Sequence, residues 1–164
     1  MIRHGDFKRW MYRSGRPNRL ARLLNRGWAT IGSAGIRPDW LVTLEVPGRR
    51  TGRLISFPVV MTDYEDDRYL VSMLGEESNW VQNVRAAGGR AVLRHGRREA
   101  VCLEEVDPGA RAPILRRYVE RAPGARPHID VDPGAPLAEF EKLAPELPVF
   151  RVTEDPSPRG APSA

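Results

Sequence analysis

WLVTLEVPGRRTGRLISFPVVMT, residues 40–62, is the part of the chain that most constrains its structure. Apolar and polar residues alternate on both sides of PGRRTG, with the period of a half-buried β-strand. Glycine and proline at the centre are typical of a turn. The segment therefore predicts two strands, 40–46 and 54–62, joined by a short loop. Pro58 cannot donate a ladder hydrogen bond, so it predicts an edge or a bulge in the second strand.

Similar short segments continue along the chain. Further strands are predicted at residues 68–73, 90–95, 99–106 and 149–153, with a hairpin at Gly96 between the second and third of these. Helices are predicted at residues 79–87, with Ser78 as N-cap and Gly88 and Gly89 as the stop, at 107–121, and at 137–144. Closely spaced antiparallel strands with a helix inserted among them favour a mainly β fold with flanking helices (α+β), a small β-barrel.

Composition predicts one globular domain. The chain has 164 residues, 41% of them hydrophobic, which is enough for a real core. A single cysteine, Cys102, excludes a disulfide framework, and three scattered histidines do not have the spacing of a zinc site. The N-terminus lacks the apolar middle of a signal peptide, and no apolar run reaches membrane-spanning length. We therefore expect a cytoplasmic protein.

Positive charge is concentrated at the N-terminus. Residues 1–37 contain nine Lys/Arg and one acid, a charge of +8, whereas the remainder carries −3. Residues 17–31 have the apolar period of a helix with arginines on its other side. Either this helix packs on the domain with its arginines in water, or Trp28 and the leucines contact anionic lipid at the inner face of the membrane. Nucleic acid is not expected, because the strands carry no aromatic and basic stacking face.

The domain limits follow from these patterns. We predict a basic arm with its amphipathic helix at 1–37, a barrel domain at 38–153 and a disordered tail at 154–164.

GRRTGR, residues 48–53, is the first candidate site. Its glycines allow positive φ and can aim backbone N–H groups at an anion, while three guanidiniums and a hydroxyl add donors. The pattern suits a phosphate, although an arginine-rich turn is also typical of a solvated loop.

SMLG, residues 72–75, followed by NWVQN, residues 79–83, is the second candidate site. On a helix Asn79 and Asn83 lie one turn apart, beside Trp80 and Val84, so the segment could support a planar ring. Alternatively, Trp80 and Val84 belong to the core. Few groups in the chain could act as nucleophile, acid or base, which favours a cofactor as the source of the chemistry.

Together these motifs resemble a known family. The order VTLEVPGRRTGRLISFPVV, RYLVSMLGEESNWVQNVRAAGG and RAVLRHGRREAV is similar to the deazaflavin-dependent nitroreductase family, the split β-barrel flavin/deazaflavin oxidoreductases of actinobacteria. The resemblance covers roughly residues 38–107, with weaker similarity at PGARPH and VFRV. It implies a split barrel of the FMN-binding, pyridoxamine-phosphate-oxidase type that binds coenzyme F-420, a deazaflavin with a phosphodiester and a polyglutamate tail.

The resemblance also implies residue roles. Cofactor-binding roles fall on Arg49, Arg50, Thr51, Gly52 and Arg53 for the phosphate and tail, on Ser56 and Pro58 along the cofactor, and on Ser72, Met73, Leu74, Gly75, Trp80 and Asn83 around the ring. The reduced coenzyme would pass a hydride to a quinone, a nitro compound or an activated alkene. His128 is the candidate proton donor, at a position where some members have a tyrosine.

Two departures from the family pattern affect this reading. Ile55 stands where members often have an arginine, and GEES is shorter than their loop before the tryptophan. FMN on the same barrel remains the alternative cofactor, a non-enzymatic module that binds anionic lipid is the alternative function, and a homodimer is left open.

Overall fold

A barrel of six antiparallel strands forms the centre of the protein. The computed structural model describes residues 40–122, 125 and 128–156. In this part of the chain the strands close in the order β1-β2-β3-β6-β5-β4. Their bounds are β1 Leu41–Pro47, β2 Leu54–Tyr64, β3 Asp67–Val71, β4 Arg90–His95, β5 Arg97–Glu105 and β6 Val149–Glu154. The split barrel predicted from the sequence is confirmed.

Three α-helices accompany the barrel in the described residues. They are α1 Asn79–Ala86 between β3 and β4, α2 Ala112–Arg121 after a 3-10 turn at Pro108–Ala110, and α3 Leu137–Leu143. The predicted helix at 107–121 is thus two elements. Ser78 does precede α1, but its side chain makes no capping hydrogen bond. Positive φ at Gly88 and Gly89 ends that helix as predicted.

Some predicted limits need correction. β5 begins at Arg97, two residues before the predicted start, because the hairpin at Gly96 is tight and His95 pairs directly with Arg97. Glu154 pairs with Val101 and belongs to β6 rather than to the tail. The predicted helix at 17–31, the arm at 1–37 and most of the tail lie outside the described residues.

Alternate, apolar residues of β1 and β2 fill the barrel interior. Leu44 lies opposite Phe57 and Val46 opposite Ile55, so their side chains share one face. The two strands pair over residues 41–47 and 54–60, whereas β2 pairs with β3 only from Met61 onward. Pro58 therefore lies where β2 has a single partner strand, and its missing N–H disrupts no ladder there, as the sequence predicted.

α2 and α3 cover the outer face of β2 and β3. Tyr69 and Val71 point outward from β3 into a second apolar cluster formed with the two helices, in which Leu115 and Phe140 are fully buried. The barrel interior and this helical layer are separate cores on the two sides of the same strands.

Arg111 connects the helical layer to the barrel. It is 3% exposed. Its Nε donates to the Val106 carbonyl at 2.7 Å and its Nη1 to the Ala144 carbonyl at 2.9 Å and the Leu147 carbonyl at 3.3 Å. Nη2 pairs with Glu105 at 3.3 Å. One guanidinium therefore satisfies backbone groups at the end of β5 and after α3.

Replacing this guanidinium is expected to destabilise the fold. Arg111→Leu leaves buried carbonyl oxygens without donors, so we expect the free energy of unfolding to fall by about 3 kcal/mol. Urea denaturation followed by circular dichroism measures the change. Arg117→Leu is the control, because Arg117 makes one exposed ion pair with Glu120 and its loss should cost less than about 0.5 kcal/mol. Equal effects of the two substitutions would contradict the role given to Arg111.

Candidate functional site

The loop between β1 and β2 is a closed turn. Gly48 N–H donates to the Arg53 carbonyl and Gly52 N–H to the Gly48 carbonyl, both at 2.8 Å. Gly52 has φ +70°, which favours glycine. A Cβ at Gly48 would lie 2.9 Å from Cδ1 of Ile55, so a side chain there would displace the exposed end of that isoleucine.

Arg49 holds this loop against helix α1. Its Nη1 donates to Oδ1 of Asn83 at 2.9 Å, and its backbone N–H donates to the same oxygen at 3.2 Å. Nη2 reaches Oδ1 of Asn79 at 3.4 Å. Asn83 is 2% exposed, so the amide that receives these bonds is part of the interior. The two candidate sequences, 34 residues apart, are therefore in direct contact.

The other two arginines of the loop face solvent. Arg50 and Arg53 are exposed, and neither side chain makes an ion pair or a hydrogen bond with another residue of the described part of the chain. Thr51 is also exposed, and its Oγ1 accepts the Arg53 N–H at 3.3 Å. Two guanidiniums without a protein partner beside a glycine turn form an arrangement that suits an anion.

Trp80 lies at the junction of α1 and the barrel. Its ring centroid is 6.0 Å from that of Phe57 and 5.5 Å from that of Phe150. Val81 and Val84 of the same helix are buried in the barrel core. The interpretation of Val84 as core is thus confirmed, while Trp80, which is only partly buried, packs against that core and keeps some exposure.

The segment 72–75 makes a turn after β3. Ser72 is buried and its hydroxyl donates to the Gly75 carbonyl at 2.9 Å, whereas Met73 packs against the helical layer. Leu74 and Gly75 line an open cavity of about 330 Å³. The other residues that line this cavity are Glu76, Glu77, Pro145 and Glu146.

Ser56 and Pro58 lie on the outer face of the barrel. Ser56 is exposed and sits opposite Glu45, and half-buried Pro58 sits opposite Thr43. Glu45 is 3% exposed and pairs with Arg94 at 2.9 Å and Arg98 at 2.7 Å. The two predicted residues therefore lie next to the buried Glu45 carboxylate, whose arginine partners are partly exposed, on the opposite face of β2 from Phe57.

His128 lies apart from these elements. It is half-buried, and its N–H donates to the carbonyl of Ala125, which belongs to the helical layer along with Ile129. It lines neither the cavity beside Gly75 nor the cavity lined by His95 and Arg97. Its role as a proton donor stays a prediction.

Sequence reasoning placed Asn79 in the second candidate motif without giving it a binding role, and it did not include Glu146. Asn79 had a signal, because it lies one turn before Asn83 on the same helix. Glu146 had none, because only the closed barrel brings the loop before β6 next to Gly75, where a Cβ would lie 3.3 Å from the Glu146 carbonyl.

The two ends of the candidate site carry opposite charge. The loop end carries exposed Arg50 and Arg53, while the cavity beside Gly75 is edged by three glutamates, of which Glu76 pairs with Arg85 at 2.7 Å. An elongated ligand with an anionic end therefore fits with that end at the arginines. Within the described residues no group of three or more His, Cys, Asp or Glu side chains is arranged for a metal ion, and none of the helices described has the length and apolarity to cross a membrane.

The sequence matches one family model. The model, described as F420H(2)-dependent quinone reductase, matches residues 22–128, which is more than half of the chain. No curated protein matches the chain by sequence.

Solved structures resemble this chain at low sequence identity. A protein of unknown function from Agrobacterium tumefaciens is 12% identical, with a TM-score of 0.52, over 71% of this chain and 49% of that one, so the chain spans about half of its length. A protein described as a domain-swapped dimer is 16% identical, with a TM-score of 0.50, over 81% and 92%. An F420-H2 dependent reductase is 16% identical, with a TM-score of 0.48, over 69% and 93%.

The contact between Arg49 and Asn83 is expected to stabilise the site as a unit. Asn83→Ala leaves the arginine without its main acceptor, and the pair should show a coupling free energy of about 1–2 kcal/mol in a double-mutant cycle with Arg49→Gln, measured by urea denaturation. Asn79→Ala is the control and should couple more weakly, because its contact is longer and exposed. Strictly additive effects of Asn83→Ala and Arg49→Gln would show that the loop and α1 are held by other contacts.

Acid is expected to loosen the attachment of α1 to β5. Hydrogen bonds from Arg85, opposed by partial burial, lower the pKa of Glu105 below its ordinary value of 4.5. A lowered folded pKa means that the pair stabilises the fold above pH 4.5 and that this contribution is lost as the pH falls through the folded pKa. Thermal melts from pH 6 to pH 3 should show wild type and Glu105→Gln converging at the acid end. A gap between their melting temperatures that stays constant with pH would contradict this assignment.

Proposed function

Because the chain belongs to the F420H(2)-dependent quinone reductase family, we propose that the turn at residues 48–53 and helix α1 together hold its deazaflavin coenzyme during reduction of a quinone. The chain is an F-420-dependent oxidoreductase. The observation that supports the location is the bond from Arg49 to Asn83, since it brings the anion-binding turn and the tryptophan-bearing helix to one place.

The described residues fit the coenzyme. Its phosphodiester and polyglutamate tail need cationic donors, and Arg50 and Arg53 are exposed and not engaged by acids of the described chain. Thr51 adds a hydroxyl beside them. Arg49 donates to Asn83 and so positions the turn, and its role at the phosphate stays a prediction.

The acidic cavity favours a neutral acceptor. Glu76, Glu77 and Glu146 edge the space next to Leu74 and Gly75, and like charges would repel an anionic substrate. A quinone carries no charge, so it can occupy this end without that cost. When bound, reduced F-420 supplies the hydride, and the chain's residues bind, orient and limit the access of water.

Two further expectations stay predictions. The lipid contact of the N-terminal helix concerns residues outside the described part of the chain, and the homodimer concerns contacts between copies. The colour of the purified protein distinguishes FMN from F-420, because a protein that retained a flavin would be yellow.

Removal of the exposed guanidiniums is expected to weaken coenzyme binding. Arg50→Gln and Arg53→Gln should each reduce affinity for F-420 about tenfold, the usual loss for one charge-assisted hydrogen bond. Isothermal titration calorimetry measures the affinity, and oxidation of F-420H₂ by menadione measures turnover.

Arg117→Gln is the matched control, since it removes one arginine charge on α2 and should leave affinity unchanged. Retention of full affinity when Arg50 and Arg53 are both replaced would overturn the assignment of the loop. Absence of F-420 binding by the wild type would overturn the proposed site as a whole.

A further inference from the structure

The cavity beside Gly75 has two walls that come from distant parts of the chain. The first wall is the turn at residues 74–77 after β3, and the second wall is residues 145–146 before β6. Their backbones approach closely, since a Cβ at Gly75 would lie 3.3 Å from the Glu146 carbonyl. The shape of the cavity therefore depends on the contacts that hold each wall in place.

Helix α1 holds the first wall. Nη1 of Arg85 lies 2.7 Å from Oε2 of Glu76, and Nε2 of Gln82 donates to the Glu76 carbonyl at 2.9 Å. Gln82 and Arg85 are three residues apart, so they lie on the same side of the helix. Glu76 is thus bound through both its side chain and its backbone.

Arg111 holds the second wall. Its Nη1 donates to the carbonyls of Ala144 at 2.9 Å and Leu147 at 3.3 Å, and these two residues flank Pro145 and Glu146. Arg111 is 3% exposed, so packing fixes the guanidinium in addition to its hydrogen bonds. The position of the second wall therefore depends on a buried arginine.

Glu105 connects the two arginines. Nε of Arg85 donates to Oε2 of Glu105 at 3.1 Å and Nη2 to Oε1 at 2.6 Å, a bidentate arrangement that fixes orientation as well as distance. Nη2 of Arg111 donates to the same Oε1 at 3.3 Å. Glu105 is itself held by the barrel, because it is the last residue of β5 and lies opposite Phe150 of β6.

The charges alternate along this series of contacts. Glu76, Arg85, Glu105 and Arg111 each face a side chain of opposite sign. Hydrogen bonds from Arg85 lower the pKa of Glu105, so its carboxylate is ionised at neutral pH. Without that charge the two guanidiniums would face each other across a neutral group, and like charges repel. Both walls would then lose their common anchor.

We propose that Glu105 is a positioning residue that sets the two walls of the cavity beside Gly75 relative to each other. Glu105 does not line the cavity, so it acts on a bound molecule through Arg85 and Arg111. The assignment of a quinone to this cavity rests on the function proposed above, whereas the contacts that join the walls do not.

Hydrogen exchange of the full-length protein tests the geometry. The backbone N–H groups of Gly75 and Glu146 donate to the carbonyls of Ser72 and Leu143, one pair in each wall. In Glu105→Gln both N–H groups should exchange about tenfold faster than in the wild type, because each wall opens more often. Acceleration in β1 should be smaller, since its exchange does not depend on the walls.

Glu104→Gln is the matched control. It removes the same charge from the neighbouring residue, whose carboxylate pairs with exposed Arg151 at 2.8 Å, and it should leave exchange in both walls unchanged. Faster exchange in only one wall of Glu105→Gln, or an equal acceleration in β1, would overturn the proposal. The same acceleration in Glu104→Gln would do so as well.

Turnover tests the consequence for the substrate. Weaker substrate binding raises KM without changing kcat, so Glu105→Gln should raise the KM for menadione about fivefold and keep kcat within about twofold of the wild type. Calorimetry should show unchanged affinity for F-420. A lower kcat with unchanged KM would indicate loss of active protein and would overturn the positioning role.

The two proposals can fail separately. Absence of F-420 binding by the wild type would refute the proposed function. The exchange experiment would still decide whether Glu105 sets the two walls, because it needs neither coenzyme nor substrate.

Discussion

The hydrogen bonds between Arg49 and Asn83 join the two parts of the chain on which the site depends. Asn83 is fixed because its neighbours Val81 and Val84 are buried in the barrel. Because the packed helix holds the Asn83 amide in place, that amide is a rigid acceptor. Arg49 donates to it through both its backbone N–H and its side chain, so its own position is restricted as well. A loop otherwise closed only by two backbone bonds thereby acquires a defined position relative to Trp80.

The bond to Asn83 distinguishes Arg49 from the other two arginines of the loop. A guanidinium that donates to a buried amide cannot also release those donors to a ligand without leaving the amide unsatisfied. The side chains of Arg50 and Arg53 are exposed and donate to no residue of the described part of the chain. Identical residue types in one turn thus differ in their protein partners, which is why counting arginines says little about how many are available to an anion.

Sequence patterns predicted the elements better than the contacts between them. Alternation in β1 and β2 and the glycines after α1 act through local backbone geometry, and the structure places them as expected. The pairing of Arg49 with Asn83 depends on closure of the barrel, which no local pattern encodes. Likewise, the neighbourhood of Gly75 and Glu146 arises from the pairing of β3 with β6, two strands far apart in sequence. The resemblance to a family suggested that the two motifs share a site, and the contact supplies the physical reason.

The two ends of the barrel differ because, among the residues that the structure describes, a helix covers only one of them. α1 connects the end of β3 to the start of β4, so Val81 and Val84 close that end with apolar side chains, and inward-facing residues there can be valine and phenylalanine. At the other end the last inward positions of β3, β4 and β5 carry Arg68, His95 and Glu99. Arg68 and Glu99 are both partly exposed there, as suits charged side chains. The ion pair between Arg68 and Glu99 compensates both of their charges. Arg97 needs no protein partner there, because it is exposed, and Nε2 of His95 is closed off from the cavity by its own burial.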